Sequence, residues 1–198
     1  WVWGRNEYGA LGLNDGTHRS SPTQLPGTTW KSVYWNGNLG NMAIKTDGTL
    51  WGWGANFPGN LALEGAGVGN VSSPCQIPGT NWSHVSGKTW TIGIKTDGTL
   101  WSWGSNSYGA LGLNQSTPTM ISSPTQLPGT TWSRSFSSST HVVAIKTDGA
   151  IWAWGKETGY GSLGQNTNAW GYSSPVQVPG TWQGIVAFGT RASGALKG

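Results

Sequence analysis

Short apolar runs alternate with polar residues along this chain, and Gly, Pro, Asn and Asp separate them. In "AIKTDGTLW" (43–51), an apolar run, an Asp-Gly pair and a second apolar run follow one another. Alternation places Trp51 and Trp53 on one face of the second strand and Gly52 on the other. Asp-Gly suits the two positive φ angles of a type I′ turn, so we predict a β-hairpin at each such pair.

The same pattern is written four times. The motif Trp-x-Trp-Gly begins at spacings of 50, 50 and 51 residues, and each copy is followed by Ser-Ser-Pro, Pro-Gly-Thr and a lone Trp. Twelve of the 15 Trp residues therefore belong to the repeat. The motifs start at Trp1, Trp51, Trp101 and Trp152, and the lone residues are Trp30, Trp82, Trp132 and Trp182.

The rest of each unit also reads as strands and turns. The segment 104–114 is a Gly-punctuated loop that we expect Leu111 and Leu113 to pack. The next segment, 122–132, predicts a short edge strand fenced by Pro124 and Pro128, because proline cannot donate to a ladder. Between the paired tryptophans stands a small or modest residue, which we expect to admit a neighbouring sheet: Val2, Gly52, Ser102 or Ala153.

About four short strands per 50 residues predict an all-β fold, a β-propeller of four-stranded blades. We expect one domain, 1–198, with repeat units of approximately 1–50, 51–100, 101–151 and 152–198. The repeated residues are expected to form the core and the blade-to-blade packing. They are Trp1, Trp3, Trp51, Trp53, Trp101, Trp103, Trp152 and Trp154, with the turn pairs Asp47-Gly48, Asp97-Gly98 and Asp148-Gly149.

The unit resembles the regulator of chromosome condensation repeat family. The resemblance is carried by "DGTLWSWGSNSYGALGLN" (97–114), its echo "WVWGRNEYGALGLN" (1–14) and "SSPTQLPG" (122–129). It implies a seven-bladed propeller, and seven such units would need about 350 residues. We therefore expect the four units to form part of a larger, seven-bladed-like ring or an incomplete ring.

The two ends of the sequence fall within one predicted blade. "GALKG" (194–198) aligns with "MAIKT" (42–46), so the last strand stops before an Asp-Gly turn and the first strand follows one. Closure of the chain on itself, more of the same protein, or a second copy would cover the split blade. A window of a longer array or a shared ring is favoured over a closed four-unit ring.

Charge and cysteine content narrow the function classes. Only 9% of residues are charged, and the 11 basic and 7 acidic residues are scattered, which favours a solvated surface over nucleic-acid binding. Lys45, Lys95 and Lys146 are interpreted as a solvated stripe. Cys75 is alone, so no internal disulfide is expected. Apolar runs fall short of the roughly 18 residues of a membrane span.

Little in the sequence points to catalysis. The predicted hairpin turns engage three of the seven acidic residues, Asp47, Asp97 and Asp148. The histidines, His18, His84 and His141, lie at different places in the repeat. We find neither a zinc-binding His pattern nor a phosphate loop, so we expect no enzyme, cofactor or metal. The chromosomal member of the family exchanges nucleotide on a small GTPase through an inserted wedge. Unit lengths are nearly constant here, so an exchange regulator is kept only as an alternative.

Binding is the remaining expectation. Variable segments of a repeat fold map to one rim, and aromatic residues outside the repeat pattern can stack on sugars or anchor protein contacts. The alternative is a loop that packs on itself. Our candidates are Trp170, Tyr172, Trp35, Trp90, His18, Arg19 and Met120.

The expected function is a non-catalytic scaffold for protein or glycan contacts. Low charge and Asn/Thr/Ser/Gly-rich loops resemble the repeats of bacterial and phage surface proteins, so we expect an extracellular, cell-surface or virion component, such as a phage fibre or decoration protein. The expected partner is a protein, further copies of the chain or a surface glycan, and not nucleic acid. A carbohydrate-binding lectin is the third alternative.

Overall fold

The structure, a computed structural model, is all-β. It describes residues 1–36, 40–57, 59–63, 69–115, 119–166, 169–188 and 192–197. The strands are β1 (Val2–Gly4), β2 (Arg19–Thr23), β3 (Trp30–Asn36), β4 (Gly40–Lys45), β5 (Leu50–Gly54), β6 (Val71–Ile77), β7 (Trp82–Gly87), β8 (Trp90–Lys95), β9 (Leu100–Ser105), β10 (Met120–Gln126), β11 (Trp132–Ser137), β12 (His141–Lys146), β13 (Ile151–Lys156), β14 (Gly171–Gln177), β15 (Trp182–Phe188) and β16 (Ser193–Lys197). A short 3-10 helix spans Ser107–Gly109.

Successive strands pair antiparallel into blades. Three sheets have four strands each, β3–β6, β7–β10 and β11–β14, while β1–β2 and β15–β16 are two-stranded. This arrangement confirms the predicted propeller of four-stranded blades and an incomplete ring. Each complete blade begins at a lone Trp (Trp30, Trp82, Trp132), so each predicted repeat unit supplies strands to two blades.

The first strand of each blade lies at the inside of the array. Strand β7 contacts both β3 and β11, whereas β6, β10 and β14 form the opposite edges of their sheets. The predicted edge strand is confirmed at β10. It begins at Met120, however, so Pro124 lies inside the strand rather than before it. The register with β9 shifts around this proline, between Ile121 and Thr125. A register irregularity is where a strand tolerates proline.

The Asp-Gly hairpins are not type I′ turns, and that prediction is wrong. Gly48 has φ +79°, but Asp47 does not have a positive φ. The Gly48 amide donates to the Lys45 carbonyl (3.0 Å) and the Lys45 amide to the Thr49 carbonyl (3.0 Å). This is a type I turn followed by a left-handed glycine. The Asp47 carboxylate supports it by accepting from the Thr49 amide and hydroxyl.

The core lies between successive blades. Trp82 and Trp103 of the second complete blade pack with Met42 and Ile44 of the first, and Leu61 from the loop after β5 joins them. A Cβ added to Gly52 would lie 3.1 Å from Leu61 Cδ2, so the small residue makes room for the loop of its own unit. The expectation that it admits a neighbouring sheet is corrected accordingly.

Lysines cover the tryptophans at the other end of each blade. Lys45 Nζ lies 3.9 Å from the Trp51 ring centroid and 4.8 Å from that of Trp30. Lys95 and Lys146 repeat the arrangement in the next two blades. These lysines are half-buried cation–π partners. The stripe predicted to be solvated is therefore only partly exposed to solvent.

The repeat tryptophans follow the predicted packing except at the first strand. Trp1 is 74% exposed and Trp3 62%, because β1 pairs with β2 alone and no four-stranded blade covers their face. Val33 on β3 is also exposed, whereas Val85 at the equivalent place of β7 is buried. Association with a second copy, one of the three alternatives for covering the split blade, stays a prediction.

Candidate interaction rim

The antiparallel blades give the molecule two rims. One, the loop rim, comprises the connections from the third to the fourth strand of each blade and their flanking residues. Its described residues lie within 5–19, 55–71, 105–120 and 156–171. The other, the turn rim, comprises the Asp-Gly turns 46–49, 96–99 and 147–150 with the short connections 24–29, 78–81, 127–131 and 178–181.

One buried polar side chain shapes each connection of the loop rim. Asn6 Oδ1 accepts from the Leu11 amide at 2.8 Å, and the second and third connections repeat this bond from Asn56 to Leu61 and from Asn106 to Leu111. In the fourth connection the Glu157 carboxylate takes the place of the amide and accepts from the Ser162 and Leu163 amides. These bonds outweigh burial and lower the pKa of Glu157.

Each connection is also fixed to the next blade. Trp53 Nε1 donates to the Ala10 carbonyl at 2.9 Å. Trp103 donates in the same way to Asn60 and Trp154 to Ala110. The loop rim is therefore a braced surface, positioned by the blades on both sides.

Large apolar side chains project from this braced surface. The exposed ones on the loop rim are Tyr8, Phe57, Tyr108, Met120, Tyr160 and Trp170. The other exposed large apolar residues are Trp1, which precedes β1, and Trp3, Val33, Trp35 and Leu196, which lie on strands. Among the described residues, none lies on the turn rim. The asymmetry marks the loop rim as the candidate interaction surface, because aromatic and Met side chains are enriched in protein interfaces.

A few charged side chains also lie on the loop rim, and each contacts a neighbouring side chain. Lys156 Nζ lies 4.6 Å from the Tyr108 ring centroid, which joins the third complete blade to the loop of the second. Arg19 donates to Asp15 at 2.6 Å, and Arg5 to Glu7 at 2.6 Å. The Thr17 backbone and the Arg19 side chain hold the pKa of Asp15 below its usual value.

Most predicted candidates lie at this end of the molecule. Trp170 is 89% exposed, and Met120 is exposed beside Gly59 of the preceding blade. His18 is exposed, and its Nδ1 accepts from the Asn6 amide at 3.0 Å. Tyr172 is half-buried against the apolar clusters around β12 and β13.

Trp35 and Trp90 differ from each other. Trp35 is exposed near the end of β3, on the same strand face as Val33. Trp90 is only 1% exposed at the start of β8, in the cluster shared with Leu111 and Trp154, so it is no part of a binding surface. The prediction for Trp90 is wrong because its place in the strand points into the contact between blades. Binding roles for the accessible candidates stay predictions.

Sequence reasoning missed four rings of the loop rim: Tyr8, Phe57, Tyr108 and Tyr160. Tyr8 and Tyr108 belong to the repeated "YGALGLN", which suggested a structural role. The available signal was the glycine that follows each tyrosine. Gly109 has φ +70°, and an added Cβ would meet Ser173 Cα at 2.7 Å, so the turn packs through glycine while the tyrosine is left outside.

The titratable groups form no reactive constellation in the part of the chain that is described. His84 Nε2 donates to the Ser135 carbonyl at 2.8 Å, and burial lowers the pKa of this imidazole. His141 Nε2 lies 3.0 Å from Ser193 Oγ, but that hydroxyl donates to the Ser162 carbonyl. No three His, Cys, Asp or Glu side chains of the described residues come together as metal ligands. None of the described helices has the length and apolarity that crossing a membrane requires.

The fold has several solved counterparts, although no curated protein matches the chain in sequence. Prp20p from Saccharomyces cerevisiae, described with its binding properties to Gsp1p and histones, shares 18% identity over 98% of this chain and 51% of its own, with a TM-score of 0.80. The same yeast protein bound to Kap60 gives a TM-score of 0.78 at 19% identity, over 98% of this chain and 49% of its own. Human WBSCR16 gives 0.72 at 20% identity, covering 88% and 46%. The chain thus spans about half the length of each.

Family models match the repeat itself. The model of the regulator of chromosome condensation (RCC1) repeat matches residues 1–34 and 97–145, and a second model with the same description matches residues 82–110. The matched segments contain the Trp-x-Trp-Gly motifs at Trp1 and Trp101, the Asn-anchored connections that follow them and the Pro-Gly-Thr segments at 26–28 and 128–130. The chain therefore contains regulator of chromosome condensation (RCC1) repeats.

Proposed function

We propose that this propeller is a non-catalytic scaffold that binds a protein partner through its loop rim. The observation that carries the proposal is the uneven distribution of exposed rings between the two rims. Five of the eight exposed rings among the described residues lie on the loop rim and none on the turn rim; the five are Tyr8, Phe57, Tyr108, Tyr160 and Trp170. Rings left in water contribute no burial energy to the folded chain. Burial of their apolar surface by a partner would stabilise the complex by about 25 cal/mol per Å². Their burial by a partner accounts for both their presence and their position.

The chemistry of the rim favours a protein over a strongly charged partner. Its exposed rings and Met120 are the side-chain types that anchor interfaces, while Arg5 and Arg19 are neutralised by Glu7 and Asp15. The solved relatives lend support, because Prp20p is described with protein partners. Their known partners are not assigned to this chain.

Site-specific photo-crosslinking tests the proposal. We would place a benzophenone amino acid at Tyr160 on the loop rim and, as a matched control, at exposed Thr80 on the turn rim. Discrete adducts in an extract of the source cells are expected only from position 160. Adducts only from position 80, or identical adducts from both, would contradict the assignment of the surface. Reproducible turnover of any substrate would contradict the non-catalytic part.

An exchange regulator of a small GTPase is the second candidate. It is supported by the fold likeness to Prp20p, whose structure is described with Gsp1p binding. Against it stands the nearly constant length of the four units, which contain no inserted wedge. Nucleotide release from a panel of small GTPases distinguishes the two, since acceleration by orders of magnitude would replace the scaffold with an exchange factor.

We extend the proposal to location at a cell surface or in a virion. Its support is compositional: only 9% of the residues are charged, and the loops are rich in Asn, Thr, Ser and Gly. Immunogold labelling of intact cells and of virions tests it. Label confined to the cell interior would remove this extension and leave the scaffold proposal standing.

A further inference from the structure

A cleft rich in serine and threonine residues opens on the turn rim, away from the exposed rings. It has a volume of about 510 Å³ and lies between the second and third complete blades, lined on one side by Ser83, Lys95 and Asp97 and on the other by Thr130 and Ser133. Six of its ten lining residues are Ser or Thr. The volume is in the range of small-molecule sites. The hydroxyls of Ser83 and Ser133 donate to backbone carbonyls within their own sheets, so the Thr130 and Thr147 hydroxyls are the ones considered for a ligand.

The cleft contains one negative and one positive group, Asp97 and Lys95, and neighbouring residues hold both in place. The Thr99 hydroxyl and then the Thr99 amide lower the pKa of Asp97, at 2.7 and 3.0 Å, so its carboxylate is ionised at neutral pH. Both bonds end on Oδ1, which leaves Oδ2 available as an acceptor. The Lys95 ammonium lies 4.2 Å from the Trp101 ring centroid and 5.1 Å from that of Trp82.

We propose that this cleft binds a neutral sugar unit of a glycan. Adjacent hydroxyls of a sugar ring can donate to the Asp97 carboxylate and exchange hydrogen bonds with the Thr130 and Thr147 hydroxyls. An apolar ligand would desolvate these groups without replacing their bonds to water. The Asp97 carboxylate would repel an anionic ligand, and the Lys95 ammonium group would repel a cationic one.

Titration of the isotope-labelled full chain with glucose, galactose, mannose and N-acetylglucosamine, each alone, tests the proposal by NMR. We expect amide shifts centred on Gly98 and Thr131 with at least one sugar, and binding about tenfold weaker in Asp97→Asn. The matched control is Asp148→Asn, which removes a carboxylate from the equivalent turn outside this cleft and is expected to keep the wild-type affinity.

Each other result would overturn the proposal. No shift with any of the four sugars, shifts centred on the Trp170 indole, or equal affinity in wild type and Asp97→Asn would remove the site. Binding of sodium sulfate in place of the sugars would assign an anion to the cleft instead. Because the partner expected on the loop rim is detected by crosslinking at Tyr160, neither experiment depends on the other.

Discussion

At the scale of single residues, one backbone position of the repeat has a left-handed conformation that is occupied by Thr in some units and by Asn in another. The residue before each lone Trp adopts a left-handed conformation in the complete blades: Thr29 (φ 66°), Asn81 (φ 62°) and Thr131 (φ 71°). Asn tolerates this region, whereas a β-branched residue is strained there. The hydrogen bond that the conformation serves is the same, since the carbonyls of Asn81 and Thr131 accept from the Thr96 and Thr147 amides.

The exchange of these two residues between units is therefore expected to change stability in opposite directions. Thr131→Asn relieves the strain and should raise the free energy of unfolding by about 1 kcal/mol, while Asn81→Thr should lower it by about the same amount. Urea titration of the two variants and the wild type measures both changes. A decrease for Thr131→Asn together with an increase for Asn81→Thr would show that φ strain does not govern this position.

Single residues also show where sequence reasoning stops. The repeat spacing correctly placed Trp53 and Trp103 in the core, because equivalent positions in equivalent blades meet the same neighbours. Trp90 has no Trp at the equivalent places, so the sequence marked it as variable, but position within β8 decides burial. The turn at Asp47-Gly48 was misassigned because Asp-Gly fits both a type I′ turn and a type I turn with a left-handed glycine.

At the scale of elements, stability depends on how each connection is fixed to the following blade. Trp103 Nε1 donates to the Asn60 carbonyl at 2.9 Å, and the Thr91 hydroxyl donates to the same carbonyl. Trp90 is equally buried in a neighbouring strand, but its Nε1 has no hydrogen-bond partner. The two side chains thus form a matched pair that differs in one bond.

Replacement of each by phenylalanine isolates that bond. Both variants lose part of an indole ring, but only Trp103→Phe loses a hydrogen bond between blades. We expect Trp103→Phe to be about 1 kcal/mol more destabilising than Trp90→Phe. Chemical denaturation gives the comparison, and a smaller loss for Trp103→Phe would contradict the role assigned to the inter-blade bonds.

Strand order and blade construction could be predicted at this scale, but the contents of the rims could not. Period-2 alternation and the spacing of Pro and Gly reveal strands such as β9 and β10 from local sequence alone. The loop rim depends on the packing of one unit against the next, as between Gly109 and Ser173, and the cleft at Asp97 is formed by two blades. The cleft leaves no local signature, and the contact at Gly109 leaves only the glycine that follows the tyrosine.

At the scale of the whole molecule, a buried histidine links the third complete blade to the two-stranded sheet that follows it. His141 on β12 lies with Nδ1 2.9 Å from Ser138 Oγ and with Nε2 3.0 Å from Ser193 Oγ on β16. Burial lowers the pKa of His141 to about 4, although the Glu157 carboxylate acts in the opposite direction.

This junction should make stability depend on pH. An unfolded histidine titrates near 6.5, so folding favours the neutral imidazole, and the stabilisation is present above that pH. It is lost as the pH falls from about 6.5 towards 4, by about 3 kcal/mol for the pKa of about 4. Urea titrations of the wild type and His141→Gln from pH 8 to about 4 measure it.

The comparison removes the contributions of other groups. Asp47 and Asp97, whose pKa values are also lowered, destabilise both proteins equally in acid. We expect the wild type to lose more stability than His141→Gln across this pH range. Parallel pH curves for the two proteins would contradict the assignment of the transition to His141.

The most direct measurement of the central claim is the dissociation constant of the partner that crosslinks at Tyr160. The loop-rim variant Tyr160→Ala/Trp170→Ala is compared with Thr80→Ala on the turn rim, since all three positions are exposed. We predict at least about tenfold weaker binding for the loop-rim variant, because exposed rings at the centre of an interface carry most of its energy, and an unchanged constant for Thr80→Ala. Unchanged binding by the loop-rim variant, or equal weakening by Thr80→Ala, would contradict the account.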